Sequence, residues 1–427
     1  MTQRAVNLER DERGVLFSAD EEARSLGMAV EDPYPKMLAL LERGPVLKGA
    51  VHELMDLPPQ HMMNWPGRDA YTVLSFDAVN KAFTDSENFT NKVYDDLSLP
   101  LLGDTLLNMD GLRHRRMRDV AKPYFKPGFT EGWWNDKWIV QAVDDLFARL
   151  TCKDSAELNM ELCAPLPVSV VSVGFGMPVA DVLPFRRAIH DVIMNKSAQS
   201  AAAGAAETER ILNHVIAERR KDPADDLISR LIAAEMDEGD GNRRSLADDE
   251  ILRYCRMIVF AGGGTTWRQM GITIMTLLNN PDQLDALRAD RSLLRPTIQE
   301  STRWYPTDPV FCRWVARDTV LEGVEMKAGS IAYLCLASAN RDRTRWENPD
   351  VFDIHRPVQR HFAFGAGIHA CLGQHLSRQE MEVALNALLD RMPGLRWNPD
   401  MPVARMSGGT LLARGPDTLP VVYGKTA

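Results

Sequence analysis

Apolar residues recur at three- and four-residue steps along much of the chain, a spacing that predicts a mainly helical protein. The longest such pattern opens at Ser245 and Asp248, a capping-box arrangement, and continues to the helix break at Pro281. Shorter helical patterns follow in DQLDALRAD (282–290), LLRPTIQESTRWYP (293–306) and CLGQHLSRQEMEVALNALLDRM (371–392). Together they predict a helix-rich chain with one unusually long helix.

Strand-like stretches are short by comparison. They are YTVLSF (71–76), TVLEGVEM (319–326), IAYLCLAS (331–338) and LPVVY (419–423). The charged, glycine-containing stretch MDEGDGNRRS (236–245) predicts an exposed loop ahead of the long helix. No internal repeat or low-complexity tract is visible. Because helical patterns dominate and the strand-like stretches are short, the sequence predicts a mainly α fold with small peripheral β-sheets.

Composition narrows the class of protein further. The chain of 427 residues is long enough for a large buried core, and its net charge of -9 argues against a nucleic-acid binder, which needs a basic surface. The N-terminal residues scatter charges where a signal peptide or membrane anchor needs an unbroken apolar run. Prolines interrupt the apolar stretch 164–180, which predicts buried core instead of a membrane span. We therefore expect a cytoplasmic protein without membrane association.

The cysteines give a first indication of chemistry. They lie at positions 152, 163, 255, 312, 335 and 371, and no two of them form a C-x-x-C pair. This spacing disfavours a zinc ribbon, an iron–sulfur cluster or a thioredoxin-like site. Reduced thiols in a cytoplasm fit it better.

The stretch FGAGIHACLG (364–373) is the sharpest motif, and it matches F-x-x-G-x-x-x-C-x-G. A cysteine that ligates iron must present its sulfur from a tight loop, and glycines let the backbone pass close to a flat macrocycle. Two other interpretations stay open on this motif alone. In the first interpretation, Cys371 is a small buried hydrophobic residue, which is the commonest role of a lone cysteine. In the other, Gly365, Gly367 and Ala370 match the dinucleotide fingerprint G-x-G-x-x-A, which needs a strand before it and an acid-terminated strand after it.

With its neighbours, this motif resembles the cysteine loop of the cytochrome P450 family. The resemblance implies that Cys371 is the axial iron ligand of a haem b, whose thiolate pushes electron density towards the iron. It also implies that the haem is bordered by Phe364, Gly365 and Gly373. Glu300 and Arg303, whose spacing puts them on one helix face, resemble the family's E-x-x-R pair. Arg356 resembles the arginine that joins this pair and locks the fold around the haem-binding loop.

The segment DGLRHRRMRDVAKPYF (110–125) resembles the family helix whose histidine and arginine reach the haem propionates. The resemblance places His114 and Arg118 in those roles, and Arg313 and His369 complete the set. Taken singly, each of these residues is better explained as a basic residue at the protein surface. Together, at family positions, they supply the cationic and hydrogen-bonding partners that two buried carboxylates need.

Three consecutive glycines, 262 to 264, interrupt the long helix, although each costs a helix about 1 kcal/mol relative to alanine. Close packing of a neighbouring helix is one reason for them, and a groove for a ligand is another. In the family, the pattern A-G-x-[DE]-T-[TS] lies over the haem, holds oxygen and water, and uses its threonine to guide protons.

The match to that pattern is incomplete. The resemblance implies that Ala261 and Gly262 border the haem and that Thr265, followed by Thr266, is the catalytic hydroxyl. Gly264 stands at the acidic position, so the usual proton route lacks its carboxylate. Arg268, one turn later, either organises water there or forms an outward-facing salt bridge.

The resemblance runs from about residue 113 to 414 and implies one cytochrome P450 domain over 1–427, with 1–20 as a flexible extension. It implies a soluble bacterial type of monooxygenase that inserts one atom of O2 into a small to medium apolar organic substrate. Because no flavin or ferredoxin module is apparent, ferredoxin reductase and ferredoxin are expected to bring electrons from NAD(P)H. The basic residues of the stretch 113–126 form either a docking patch for an acidic ferredoxin or a solvated face.

The resemblance also suggests a substrate pocket and two alternatives to the monooxygenase. The pocket would be lined by the loop 88–108, by Phe260 with Ala261, by Val310 with Phe311, and by 406–411. The missing acid suggests a peroxide-driven enzyme or an isomerase as the first alternative. The second is a non-catalytic haem protein that senses or carries a ligand.

Overall fold

Helices dominate the structure, a computed structural model that describes residues 30–59, 63–194, 198–239, 241–402, 404 and 411–424. The α-helices in these ranges are α1 (Tyr34–Arg43), α2 (Val51–Leu54), α3 (Phe76–Thr84), α4 (Asp95–Leu102), α5 (Gly111–Ala121), α6 (Pro127–Phe129), α7 (Val140–Leu150), α8 (Pro165–Gly174), α9 (Val179–Met194), α10 (Ala198–Lys221), α11 (Leu227–Ala233), α12 (Asp248–Asn279), α13 (Pro281–Ala289), α14 (Leu294–Trp304), α15 (Leu336–Ala339) and α16 (Gln374–Arg391). Wider π-helical turns occupy Thr130–Ile139 and Asn159–Cys163. The helical patterns predicted between residues 282 and 392 correspond to α13, α14 and α16.

The strands are short and lie in four small sheets. They are β1 (Val46–Lys48), β2 (Ala70–Val73), β3 (Phe89–Thr90), β4 (Ser155–Glu157), β5 (Glu235–Gly239), β6 (Asn242–Ser245), β7 (Val310–Val315), β8 (Thr319–Leu321), β9 (Val324–Met326), β10 (Ile331–Cys335), β11 (Arg396–Trp397) and β12 (Pro420–Val422). The largest sheet has the order β1-β2-β10-β7-β3, and its β2–β10 pair is parallel. The other sheets are β11-β12-β4 and the hairpins β5–β6 and β8–β9.

Strand β10 separates two hydrophobic clusters. Successive side chains of a strand point to opposite faces of its sheet. Accordingly, Ile331 and Tyr333 pack in a cluster with helix α1, whereas Ala332 and Leu334 pack in a cluster with helix α3. Burial on both faces explains why β10 is a continuous apolar run.

Helix α12 is the central element, and its 32 residues extend for about 48 Å. It begins at Asp248, where the Glu250 carboxylate accepts the Ala247 N–H at 2.9 Å. The predicted start at Ser245 is wrong, because Ser245 pairs with Glu235 across the hairpin β5–β6. The same hairpin replaces the exposed loop that was predicted for 236–245. The predicted end of the helix before Pro281 is confirmed.

The main hydrophobic core surrounds helix α12 and includes the apolar stretch 164–180. Leu166 and Phe175 from that stretch are fully buried, as predicted for a proline-interrupted core segment. No single helix of the described residues is long and apolar enough to cross a membrane. Two consecutive segments, Asn159–Gly174 and Val179–Val192, are long and apolar enough only when they are taken together. The angle between them at their break is 112°.

A buried ion-pair triad ties helix α14 to the chain that leads into the loop 364–373. Arg303 donates from Nε and Nη2 to the two Glu300 carboxylate oxygens, each at 2.7 Å, and Arg356 Nε donates to Glu300 Oε1 at 3.1 Å. Arg303 also donates to the carbonyls of Asn340 and Pro349 at 2.9 and 3.0 Å. The predicted triad is confirmed, and its burial excludes a solvated surface pair.

Glu380 on helix α16 is a buried carboxyl whose Oε1 has no hydrogen-bond partner among the described residues. Burial raises the pKa of this carboxyl well above its usual value. Near pH 4 the group is protonated in the folded state and mostly protonated in the unfolded state, and the cost of burying it as an ion develops as the pH rises from there. We therefore expect Glu380→Gln to raise the free energy of unfolding at pH about 8 and to change it little near pH 4, as measured by urea unfolding. Equal gains at both pH values would contradict this explanation.

Candidate active site

The loop 364–373 carries Cys371 and is closed by a backbone hydrogen bond. The Cys371 N–H donates to the Phe364 carbonyl at 2.8 Å, which closes the loop, and helix α16 follows at Gln374. Cys371 is exposed, so it is not a small buried hydrophobe. Within the described residues, no strand leads directly into the loop, and β11, the strand after α16, ends in Trp397 instead of an acid. The dinucleotide interpretation is therefore wrong.

Two glycines let this loop turn and pass close to its neighbour. Gly365 and Gly367 have φ angles of 64° and 68°, in the left-handed region that favours glycine. A Cβ on Gly367 would lie 2.1 Å from the Phe83 carbonyl oxygen, a backbone atom of helix α3. The third loop glycine, Gly373, has no neighbouring atom near such a Cβ. Gly367 is thus required by both its conformation and its close contact.

We expect Gly367→Ala to lower the free energy of unfolding by about 2–3 kcal/mol, because alanine pays for a left-handed backbone and also clashes with a carbonyl. Gly394→Ala is the matched control. Gly394 has the same φ of 68° but open space around it, so its variant bears only the conformational cost, about 1 kcal/mol. Urea unfolding of both variants measures the difference, and equal losses would show that the Phe83 contact is unimportant.

Four bases that the sequence predicted as propionate partners lie around this loop. Arg118 donates from Nη2 to the Ala370 carbonyl, and the His114 and His369 rings lie 4.2 Å apart between centroids. Arg313 is buried on β7, opposite Ala332 of β10, with its guanidinium 5.0 Å from the centre of the Phe83 ring. The structure therefore brings all four side chains to the vicinity of the cysteine loop.

The lowered pKa values of these buried bases indicate a site that an anion would stabilise. Burial, with the neighbouring His369 and Arg118, lowers the pKa of His114 to about 3, and burial lowers the pKa of Arg313. The buried Nε2 atom of His114 has no hydrogen-bond partner among the described residues. A buried imidazole nitrogen beside guanidinium groups is stabilised by a carboxylate, because burial without a partner costs free energy.

Two further residues of this region were missed by the sequence analysis. Asp110, just before helix α5, accepts a hydrogen bond from His369 Nε2 at 3.0 Å, and so orients that ring. Arg378 lies 4.4 Å from the centre of the Phe364 ring. Arg118 and Arg378 place positive charge near Cys371, which favours its thiolate form. Arg378 lies seven residues after Cys371 in the helical pattern predicted for 371–392. A spacing of two helical turns places two residues on one face, and this spacing could have identified Arg378.

The middle of helix α12 exposes a short face. Ala261 and Thr265 are exposed, and the Thr265 hydroxyl donates to the Ala261 carbonyl at 3.0 Å. Gly262 is half-buried beside them, where its Cβ would meet Val171 at 3.2 Å. Thr266, the second predicted hydroxyl, is buried and does not share this exposed face.

Arg268 is buried, so its side chain does not face outward as one of the two predictions for it required. The side chain is 5% exposed and lies against the Trp267 ring, 4.6 Å from its centre. Its Nη1 donates to the Gly264 carbonyl at 3.2 Å. The guanidinium is thus turned back towards the position where the family has an acid.

The predicted pocket residues are only partly covered by the described chain. Val310 is buried, and Phe260 and Phe311 are half-buried. The loop 88–108 contains β3, a 3-10 turn and helix α4. Residues 405–410 lie outside the described residues, whereas Leu411 is buried.

These observations fit a haem. The exposed thiol supplies an iron ligand, the glycine loop allows a flat ring to approach, and the unpartnered His114 Nε2 with its neighbouring cations suits the propionates. An exposed face of alanine, glycine and threonine on α12 leaves room for the second side of the ring. A cysteine loop of this kind, flanked by buried bases and by a glycine-rich helix, defines a haem-thiolate protein.

Comparison with known proteins names the family. The cytochrome P450 family model matches residues 177–399. The chain is 32% identical to cytochrome P450 107B1 of Saccharopolyspora erythraea, over 85% of this chain and 92% of that protein. It is 30% identical to the vitamin D3 dihydroxylase of Streptomyces griseolus, over 87% and 92%. The chain therefore belongs to the cytochrome P450 family, and it is a haem-binding monooxygenase of the oxidoreductase class.

Solved structures agree with this assignment. The cytochrome P450 CYP109E1 of Bacillus megaterium, in complex with testosterone, superposes with a TM-score of 0.80 at 26% identity and covers 92% of this chain and 99% of its own. CYP108D1 of Novosphingobium aromaticivorans superposes with a TM-score of 0.79 at 27% identity, over 97% and 98%. The predicted mainly α fold with small β-sheets is confirmed as the cytochrome P450 fold.

Proposed function

We propose that the protein inserts one atom of O2 into a small to medium apolar organic molecule while the other atom leaves as water. The exposed Cys371 thiol, held on a glycine loop between buried bases, carries this proposal. Electrons come from NAD(P)H through a ferredoxin reductase and a ferredoxin. The whole of 1–427 acts as one domain in the cytoplasm.

Each site residue has a role in this proposal. Cys371 ligates the iron of haem b, and when bound the haem supplies the centre at which O2 is activated. The propionates are held by His114, Arg118, Arg313 and His369. The ring is bordered by Phe364, Gly365, Gly373, Ala261 and Gly262. The Thr265 hydroxyl, with Thr266 behind it, would hold water and supply protons for the reaction at the haem.

An apolar substrate is supported by the lining and by two relatives. Phe260, Val310 and Phe311 offer hydrophobic contacts, which suit a ligand with few polar groups. One relative is named as a vitamin D3 dihydroxylase, and one structural neighbour was solved with testosterone and with corticosterone. A rigid polycyclic hydrocarbon skeleton is therefore the first class of substrate to test.

The docking surface for the ferredoxin is the exposed side of helix α5 and the turn that follows it. Its cations are Arg113, Arg115, Arg116, Lys122 and Lys126. Two of them already have carboxylate partners, because Arg113 pairs with Asp104 and Lys122 lies 4.0 Å from Asp119. Steering of an acidic partner by this face depends on ionic strength, so salt should slow electron transfer.

The absorption spectrum of the reduced protein with carbon monoxide tests the haem-thiolate assignment. A Soret band shifted far to the red supports a cysteine ligand, whereas a colourless protein would overturn the proposal. NADH consumption with ferredoxin partners, measured across a panel of polycyclic substrates, then tests the reaction.

A peroxide-driven reaction is the second candidate, and Gly264 in the place of the acid favours it. Turnover with hydrogen peroxide that equals turnover with NADH and redox partners would support this candidate over the first.

A further inference from the structure

An arginine fills the space beside Gly264. A Cβ on Gly264 would lie 3.1 Å from Arg268 Nη1, closer than most real Cβ contacts. The same nitrogen donates to the Gly264 carbonyl, so the guanidinium is folded back by one helical turn. Helix α12 therefore offers a cation near the exposed Thr265, where the family pattern has a carboxylate.

Asp308 is a carboxylate in the segment that is hydrogen-bonded to helix α12 beside Arg268, through Thr307 and Gln269. It lies in the short segment between α14 and β7, and its side chain is half-buried. Its Oδ1 accepts the Ala413 N–H at 2.7 Å, and Oδ2 has no hydrogen-bond partner among the described residues. Burial raises the pKa of Asp308, whereas the hydrogen bond from Ala413 and the charge of Arg268 lower it.

A network of hydrogen bonds holds these two charges at one junction. Gln269, the residue after Arg268, accepts the N–H and the hydroxyl of Thr307 at 3.0 and 3.2 Å. Thr307, the residue before Asp308, accepts the Arg414 N–H at 2.7 Å. A Cβ on Gly415 would lie 2.9 Å from the Arg268 Cβ. These contacts hold three segments together around Arg268 and Asp308: helix α12, the segment before β7, and the segment 411–416.

The junction also contains backbone strain. Ala413, which donates to Asp308, has a φ of 57°, a left-handed conformation that costs a non-glycine residue about 1–3 kcal/mol. Such strain persists only where surrounding contacts over-determine it, and it clusters at functional sites. Here it directs an N–H at one oxygen of Asp308 and leaves the other oxygen for a different partner.

We propose that Asp308 is the carboxyl group that relays protons in place of the acid missing at Gly264, and that Arg268 is its positioning residue. This inference rests on the proposed monooxygenase function. The Asp308 O–H bond would break and release its proton to water on the side of helix α12 where Thr265 is exposed. The carboxylate then takes a proton back from bulk water, and neither residue exchanges electrons. Burial favours this role, because a carboxyl with a raised pKa exchanges protons more readily near neutral pH.

Asp308→Asn tests the proposal with little structural change, because its amide oxygen can still accept the Ala413 N–H. We expect the red-shifted Soret band of the reduced carbon monoxide complex to persist. Product formation should fall by about 10²-fold, with hydrogen peroxide accounting for the NADH consumed. The C–O stretching frequency of that complex, which reports the local field and not turnover, should shift. Asp318→Asn, at an exposed carboxylate paired with Lys327, is the matched control and should change none of these.

Restoring a carboxyl gives a second test. Gly264→Asp in the Asp308→Asn background places an acid beside Arg268, whose side-chain end can move, and should recover product formation at least tenfold. If Asp308→Asn does not fold, Arg268→Lys takes its place, and a drop of about tenfold is expected because a lysine lacks the planar fork.

The outcomes are distinct. Unchanged product per NADH and an unchanged C–O frequency in Asp308→Asn would overturn the relay. A weaker affinity for substrate with normal coupling would also overturn it, since Asp308 would then bind substrate. A parent protein without the red-shifted Soret band would overturn the haem-thiolate function itself.

Discussion

Replacing Cys371 by histidine is expected to abolish the red-shifted Soret band of the reduced carbon monoxide complex and to reduce monooxygenase turnover to background. Only a thiolate pushes enough electron density towards the iron to favour O–O cleavage, and an imidazole does not replace it. The measurement is the absorption spectrum of the purified variant, followed by NADH-driven product formation.

Cys152→Ser is the matched control for that experiment. Cys152 and Cys371 are the exposed cysteines of the described chain, but Cys152 follows helix α7, far along the chain from the cysteine loop. Its variant should keep the spectrum and the activity of the parent. A Cys371→His protein that retained the red-shifted band would show that another residue ligates the iron.

Replacing Arg303 by methionine is expected to lower the free energy of unfolding by about 3–5 kcal/mol, or to prevent folding. The change leaves the Glu300 carboxylate buried with only Arg356 as a cationic partner, and it also leaves the Asn340 and Pro349 carbonyls without their donor. Removing one partner of a buried ion pair has costs of this size. Urea unfolding and the haem content of the purified variant measure the effect.

Arg317→Met serves as the control, because Arg317 pairs with Glu87 at the surface, where both side chains are more than two-thirds exposed. Exposed pairs contribute little to stability, so this variant should unfold like the parent. A loss at Arg303 as small as that at Arg317 would mean that the triad does not lock α14 to the chain before the cysteine loop.

The sequence predicted the helices well where the apolar spacing was regular. The ends of α12 show the limit of that prediction. Its C-terminus was visible because Pro281 cannot continue a helix interior, whereas its N-terminus was misplaced by the capping pattern at Ser245. The hairpin β5–β6 uses Ser245 in its ladder, and pairing between strands competes with capping in a way that local spacing does not reveal.

The roles of polar residues could likewise be predicted where they depend on local sequence, but not where they depend on contacts between distant segments. Glu300, Arg303 and Arg356 were predicted together because their motifs are local, and the structure confirms the contacts. Asp110 and Arg378 were missed. Their importance comes from His369 and Phe364, which they reach only after the chain has folded.

The Cys371 loop, the long helix and the missing acid at Gly264 were determined by the sequence alone, because each is a property of a few consecutive residues. What occupies the space beside Gly264 was decided by the tertiary structure. Arg268 packs against Gly415, and Asp308 accepts the Ala413 N–H. These contacts join residues more than a hundred positions apart, and such distances are closed only by the packing of α12 against its neighbours.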